Sequence, residues 1–161
     1  MNKKVLFEIM ELTQECLVKF WQKDCNVFLK YMSSDVTLIG AQKNQFVRGY
    51  NEAEKYIKEV VKEMKNCTLT SQEVFVANNS GKCCTIAGRY IATTDIDTGI
   101  NLKAQQRFTF VWEIKRNENV TEPEIKLIHI SNPIGELKVD ENEAFVNKIG
   151  EMANKYLNEK I

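Results

Sequence analysis

Glycine (7), proline (2) and histidine (1) are scarce in this 161-residue chain, and neither sign of charge is in excess, 22 Lys and Arg standing against 22 Asp and Glu. So little glycine and proline leaves no linker or low-complexity tract long enough to divide the chain. The balanced charge, with no Lys/Arg block, argues against a nucleic-acid partner, whose phosphates are held by an excess of basic groups. No apolar run approaches the roughly 20 residues that span a bilayer, so no membrane partner is expected. Residues 1–12 carry Glu8 and Glu11 among their apolar positions, and no small-residue cleavage site follows. No signal peptide is read there, and a cytoplasmic location is expected.

The five cysteines (Cys16, Cys25, Cys67, Cys83 and Cys84) are odd in number and lack a CxxC spacing. A structural zinc site needs four Cys or His ligands at closed spacings, so no metal is expected. Adjacent Cys83 and Cys84 would face opposite sides of a strand. The cysteines read as small buried hydrophobes in a reducing compartment. GxSxG, GxGxxG and Walker-type motifs are absent, and no cofactor is expected.

What is present is periodicity. A length near 160 suits one domain that buries about two-thirds of its unfolded surface. Leu6, Ile9, Leu12, Cys16, Phe20 and Trp21 recur at helical spacing over about Lys4 to Lys23, and Asp24 is placed to cap a second run, about Cys25 to Met32. Residues 33–40, SSDVTLIG, read as a short strand closed by Gly40. A loop with a brief extended piece then ends at Gly49. Asn51 is placed to cap a helix over about Glu52 to Lys65, with Ala53, Ile57, Val60, Val61 and Met64 as its apolar stripe. Beyond it the period falls to 2. Strands are expected over Thr68 to Ala77, Lys82 to Thr94, Leu102 to Arg116 and Glu124 to Asn132. Turns at Asn79 to Gly81 and Asp95 to Gly99, and the polar segment Asn117 to Thr121, separate them. Pro133 and Gly135 stop the last strand, and Asp140 is placed to cap a final helix over about Glu141 to Lys160.

The expected fold class is therefore α+β: helices packed on a curled antiparallel sheet that forms a cone with a pocket, plus an extra C-terminal helix. The cone occupies residues 1–138, and the helix in 139–161 belongs to the same domain. A partly covered concave face is the default place for a small ligand. The long strands exposed on the other face need cover, usually a partner subunit.

Three stretches carry a family resemblance: Trp21-x-x-Asp24 through SSDVTLIG to Val47-Arg48-Gly49-Tyr50, then Arg107-Phe108-Thr109-Phe110-Val111-Trp112, then Ile128-His129-Ile130-Ser131-Asn132-Pro133. Together, over about Phe7 to Pro133, they resemble the nuclear transport factor 2-like, or SnoaL-like, superfamily. Bacterial SnoaL-like domains with a His-x-Ser-Asn-Pro ending are especially similar, and the association domain of calmodulin-dependent kinases carries a related ending. The superfamily includes isomerases, cyclases, dehydratases, transport adaptors and oligomerisation modules, so the resemblance implies a fold more than an activity. Against its steroid isomerases, the position of the oxyanion-binding phenol is Cys16 and that of the proton-abstracting carboxylate is Gly40. A thiol and a glycine supply neither donor nor base, which argues against that chemistry here.

Seven residues are candidates for a pocket. Leu127, His129 and Ser131 share one face of a strand while Ile128, Ile130 and Asn132 share the other, and the resemblance favours the His129 face. His129 can serve as a base, line the pocket, or sit satisfied on the sheet. Arg107 and Thr109 share a strand face opposite Phe108, Phe110 and Trp112. By resemblance to the kinase association domain, Arg107 would pair with a carboxylate ligand; otherwise it is a solvated charge. Trp21 and Tyr31 belong where helices close the cone, as core or as ligand shelf, and Gln45 can supply a pocket amide or remain a solvated loop residue. The expected function is a stand-alone, homodimeric, small-molecule-binding domain without a complete catalytic set, with an anionic or carboxylate ligand expected where Arg107 is its partner. Two rivals are an isomerase, dehydratase or hydrolase using His129 with Tyr31 or Arg107, and a pure association module with a plugged pocket.

Overall fold

The computed structural model describes residues 1–41, 45–94, 103–117 and 120–131. The turn expected at Asp95 to Gly99, the motif residues Asn132 and Pro133, Gly135, and all of 139–161 with the helix expected from Asp140 lie outside the described residues.

Helix α1 (Lys3–Trp21) opens under Asn2, whose side-chain oxygen accepts from the Val5 amide at 2.9 Å, satisfying one of the donors a helix start leaves open. It buries Ile9, Thr13, Cys16 and Leu17. In α2 (Asn26–Tyr31) the cap position is Cys25, one residue beyond Asp24, whose carboxylate still accepts from the Asn26 amide at 3.0 Å. Strands β1 (Met32–Ile39) and β2 (Phe46–Arg48) follow. Helix α3 (Tyr50–Glu63) is entered through Gly49 at φ +86°. That left-handed backbone suits glycine, so the helix starts before Asn51, the expected cap, which is exposed inside its first turn. The remaining strands are β3 (Cys67–Asn79), β4 (Cys83–Thr94), β5 (Lys103–Asn117) and β6 (Val120–Ser131).

The six strands form one sheet in the order β2-β1-β6-β5-β4-β3. The meander from β3 to β6 is antiparallel, as its short connections require. The expectation of an antiparallel sheet is corrected at one pair: β1 and β6 run parallel. No hairpin joins them, so nothing local dictates their relative direction. Strand β6 also begins earlier than Glu124 and runs through Pro123, opposite Ile114. Pairing with β1 starts only at Ile125, so the missing proline N–H falls where that flank of β6 is unpaired.

Register sorts the side chains into two faces. Inside, Cys84–Trp112–Ile125, Ile86–Phe110–Ile128 and Gly88–Phe108–Ile130 form rows across β4, β5 and β6. Phe108, Phe110 and Trp112 are nearly or fully buried; Phe108 meets Phe110 edge-on, Phe110 stacks with Trp112, and Phe28 of α2 is laid on Phe110 at 5.7 Å. Gly88 makes this possible, since a Cβ there would collide with the Glu73 carbonyl and the Phe108 ring. Outside, the rows are Glu73–Arg89–Arg107–Ser131, then Phe75–Ala87–Thr109–His129–Ile39, then Val111–Leu127–Thr37. No helix among the described residues is long and apolar enough to cross a membrane.

Candidate functional site

A cavity of about 230 Å³ opens between the helices and the inner face of the sheet. The end of α1 supplies Phe20 and Trp21, and α2 supplies Phe28. Leu38 to Ala41 and Gln45 come from the end of β1 and the loop after it; Tyr56, Ile57 and Val60 come from α3. Gln106, Ile128 and Ile130 form the sheet floor. Most of this wall is apolar because each element turns its hydrophobic stripe inward, and α1 ends at Trp21 before it can cover the sheet completely.

The polar groups on the wall are few and neutral. Trp21 donates its indole N–H to the Tyr90 hydroxyl at 2.9 Å, and that hydroxyl lies 3.3 Å from Gln106 Oε1. Tyr90 is completely buried beneath Trp21, and burial pushes its phenol up, so it remains protonated. Burial also raises the Tyr56 phenol. Gln45 folds its side chain over Gly40, filling the space a Cβ would need, while the Gly40 amide donates to the Gln45 carbonyl at 2.7 Å. None of these fourteen lining residues is a carboxylic acid, a histidine, a lysine or an arginine.

Of the seven sequence candidates, the structure brings Trp21 and Gln45 together on this wall. Arg107, Thr109, His129 and Ser131 lie on the outer face, with Arg107 exposed. The face favoured by resemblance is thus corrected: Ile128 and Ile130, not His129 and Ser131, point into the cavity. The reason is pairing, since Ile128 stands opposite Phe110 and His129 opposite Thr109. Tyr31 is apart from both groups. Its ring packs edge-on against Trp112 at 5.9 Å under the Lys30 ammonium, beside a second, open cavity of about 530 Å³ between α1 and the start of β6. No ion pair among the described residues involves His129.

The two positions compared with steroid isomerases separate. Gly40 lines the cavity, while Cys16 is fully buried in the core with its thiol pushed up to about 12 by burial and by nearby Glu15. Among the described residues, no group of three His, Cys, Asp or Glu side chains could hold a metal ion. Candidate residues missed by sequence reading are Tyr56, Gln106 and Tyr90. A signal for Gln106 exists: it continues the Phe108–Phe110–Trp112 face of β5 as a polar residue in an apolar row.

Solved structures place this architecture. The chain superposes on a nuclear transport factor 2-like superfamily protein from Salmonella enterica serovar Typhimurium with a TM-score of 0.66 at 18% identity, covering 90% of this chain and 100% of that one. A protein from Shewanella frigidimarina, provisionally named a ketosteroid isomerase, matches with a TM-score of 0.59 at 14% identity over 75% of this chain and 92% of its own. One from Xanthomonas campestris, provisionally named a calcium/calmodulin-dependent protein kinase II association domain, matches at 0.54 and 20% identity over 78% and 88%. No protein-family model and no curated protein sequence matches the chain. The fold is nuclear transport factor 2-like, and at these identities the likeness speaks for fold alone.

Proposed function

We propose that this chain is a binding domain for a small, neutral, largely apolar molecule held in the cavity between Trp21, α3 and the inner face of the sheet. The observation that carries this is the wall itself: aromatic and aliphatic side chains with two carboxamides and a phenol, and no ionised group among the lining residues. An anion there would lose its hydration without gaining a counter-charge from those residues. The idea of an anionic ligand depended on Arg107, which stands on the other face. A volume of about 230 Å³ compares with roughly 150 Å³ for an apolar cavity that takes benzene, so one or two fused rings suit it. An open cavity of that size favours binding over a purely associative role. Against a proton-transfer enzyme of the steroid isomerase kind stand the glycine at position 40 and the core thiol at position 16.

The test is a titration with 1-acetonaphthone, a neutral two-ring ketone, into wild type and Val60→Trp, which fills the cavity from α3. Binding to wild type at one site, weakened at least tenfold in Val60→Trp, is the expected result. Equal binding by both, with circular dichroism showing Val60→Trp folded, would move the ligand elsewhere. Ile130→Trp fills the same space from the sheet if the α3 variant does not fold.

For the outer face we infer a second copy of the chain. Its support is charge arrangement. Arg89 and Arg107 with Glu73 leave one positive charge at one end, whereas Asp35, Glu113 and Glu124 outnumber Lys115 and Lys126 at the other. Thr109, Val111, Leu127 and Ala87 lie between. Two such faces meeting with strands reversed bring each positive end against a negative end, as an isologous two-fold dimer allows.

A further inference from the structure

Gly40 and Gln45 face each other one step beyond Ile39 and Phe46, the last pair of the β1–β2 ladder, and the Gly40 amide donates to the Gln45 carbonyl at 2.7 Å. Left-handed backbone does not explain this glycine. Among the described residues that conformation belongs to Gly49 and Gly81, not to Gly40. What Gly40 supplies is space. A Cβ built there would fall on Gln45 Oε1 and lie 2.7 Å from Gln45 Cβ and 2.8 Å from its Cδ, closer than real Cβ atoms come. The missing side chain of one residue is thus the seat of the other's, and both residues line the inner cavity.

We propose that Gln45, seated on Gly40, sets the upper size of the ligand, so that the cavity admits two fused rings and rejects three. This rests on the reading of the cavity as a ligand site. Much of the wall cannot yield. Phe28, Leu38, Ile57 and Ile128 are buried in helices and strands of the core, where close packing leaves little room to shift. Gly40, Ala41 and Gln45 are the lining residues that stand outside helix and strand. Of these three, Gln45 has the long side chain, and its Cγ, Cδ, Oε1 and Nε2 hold space that a larger ligand would need. The cavity of about 230 Å³ is what they leave open. A third ring meets those atoms as a clash, and a built-in clash is one way a site tells ligands apart. Gly40 is a positioning residue here, acting through Gln45.

The probes are 1-acetonaphthone, with two rings, and 2-acetylphenanthrene, with three, measured by equilibrium dialysis against wild type and Gln45→Gly. Wild type should prefer the two-ring ketone by about tenfold or more, and Gln45→Gly should narrow that preference to less than about threefold. Gln45→Ala, which also removes the atoms beyond Cβ, takes its place if the glycine variant does not fold. An unchanged preference in a folded variant overturns the size limit and leaves the cavity reading standing, as does equal binding of both probes by wild type. Binding of neither probe to wild type removes the cavity reading and this inference with it. The seat has its own readout, independent of any ligand. Gly40→Ala should lower the urea midpoint in wild type and leave it unchanged in Gln45→Gly, where the side chain that it would meet is gone. The same loss in both backgrounds separates Gly40 from Gln45 and contradicts the proposal.

Discussion

Trp112 buries its indole completely, and its one polar atom donates to Thr13 Oγ1 at 2.9 Å; Thr13 in turn donates to the Ile9 carbonyl at 2.8 Å. This ties the centre of β5 to the middle of α1. Replacing Thr13 by valine keeps the shape and removes the acceptor, leaving a buried N–H unmatched. Thr13→Val should cost about 1–3 kcal/mol, read as a lower chemical-denaturation midpoint, while Thr13→Ser stays near wild type. Single residues were also where sequence reading fell short. His129 drew attention as the only histidine, but rarity says nothing about which way a strand turns it. The deciding signal was in the alternation: Ile128 and Ile130 match the apolar parity of Phe108 and Phe110, and two apolar faces pair across an antiparallel register. Tyr90 stayed hidden because its role depends on Trp21, 69 residues away in sequence.

At the scale of elements, periodicity carried most of the fold. The shift from a 3.6 to a 2 period after α3 located the meander, and the polar cluster Asn79 to Gly81 located its first turn, where Gly81 has φ +87°. What the sequence did not carry was the parallel contact of β1 with β6, because no local turn encodes it. That junction has its own titratable tie. Lys126 of β6 donates to Asp35 of β1 at 2.7 Å and also reaches Glu113 at 3.1 Å. The Lys126 ammonium, and then the Ser33 hydroxyl, lower the Asp35 carboxyl from 3.8 to about 2. A depressed carboxyl stabilises the fold above its ordinary pKa and loses that contribution as pH falls through the folded value. The tie should therefore be complete above about pH 4 and fade towards pH 2. Asp35→Asn should flatten this part of the stability-against-pH curve, measured as urea midpoints at pH 5, 3 and 2, with a small effect because the carboxylate is exposed. Identical acid slopes for variant and wild type would remove the Asp35 contribution.

For the whole molecule, the division of labour is between two faces of one sheet: the inner face with its aromatic stack and cavity, and the outer face with its charged ends. The sequence conveyed that there were two faces and a partly covered concavity, and the comparisons agree on the fold. It did not convey which face held which candidates, since that follows from pairing between strands distant in the chain. If the outer face joins two copies, sedimentation at micromolar concentration should give about twice the 18.6 kDa chain mass. Arg107→Glu should then weaken association about tenfold by setting like charges against each other across the two-fold. A wild-type mass of 18.6 kDa would contradict the second copy without touching the cavity.

The central claim is that this domain holds a neutral ligand on the inner face of its sheet. A crystal structure of the protein soaked with 1-acetonaphthone tests it most directly. The expected result is the naphthalene rings on the inner face, between Trp21, Phe28 and α3. An empty cavity, with the probe instead lying on the outer face beside Arg107 and His129, would contradict it.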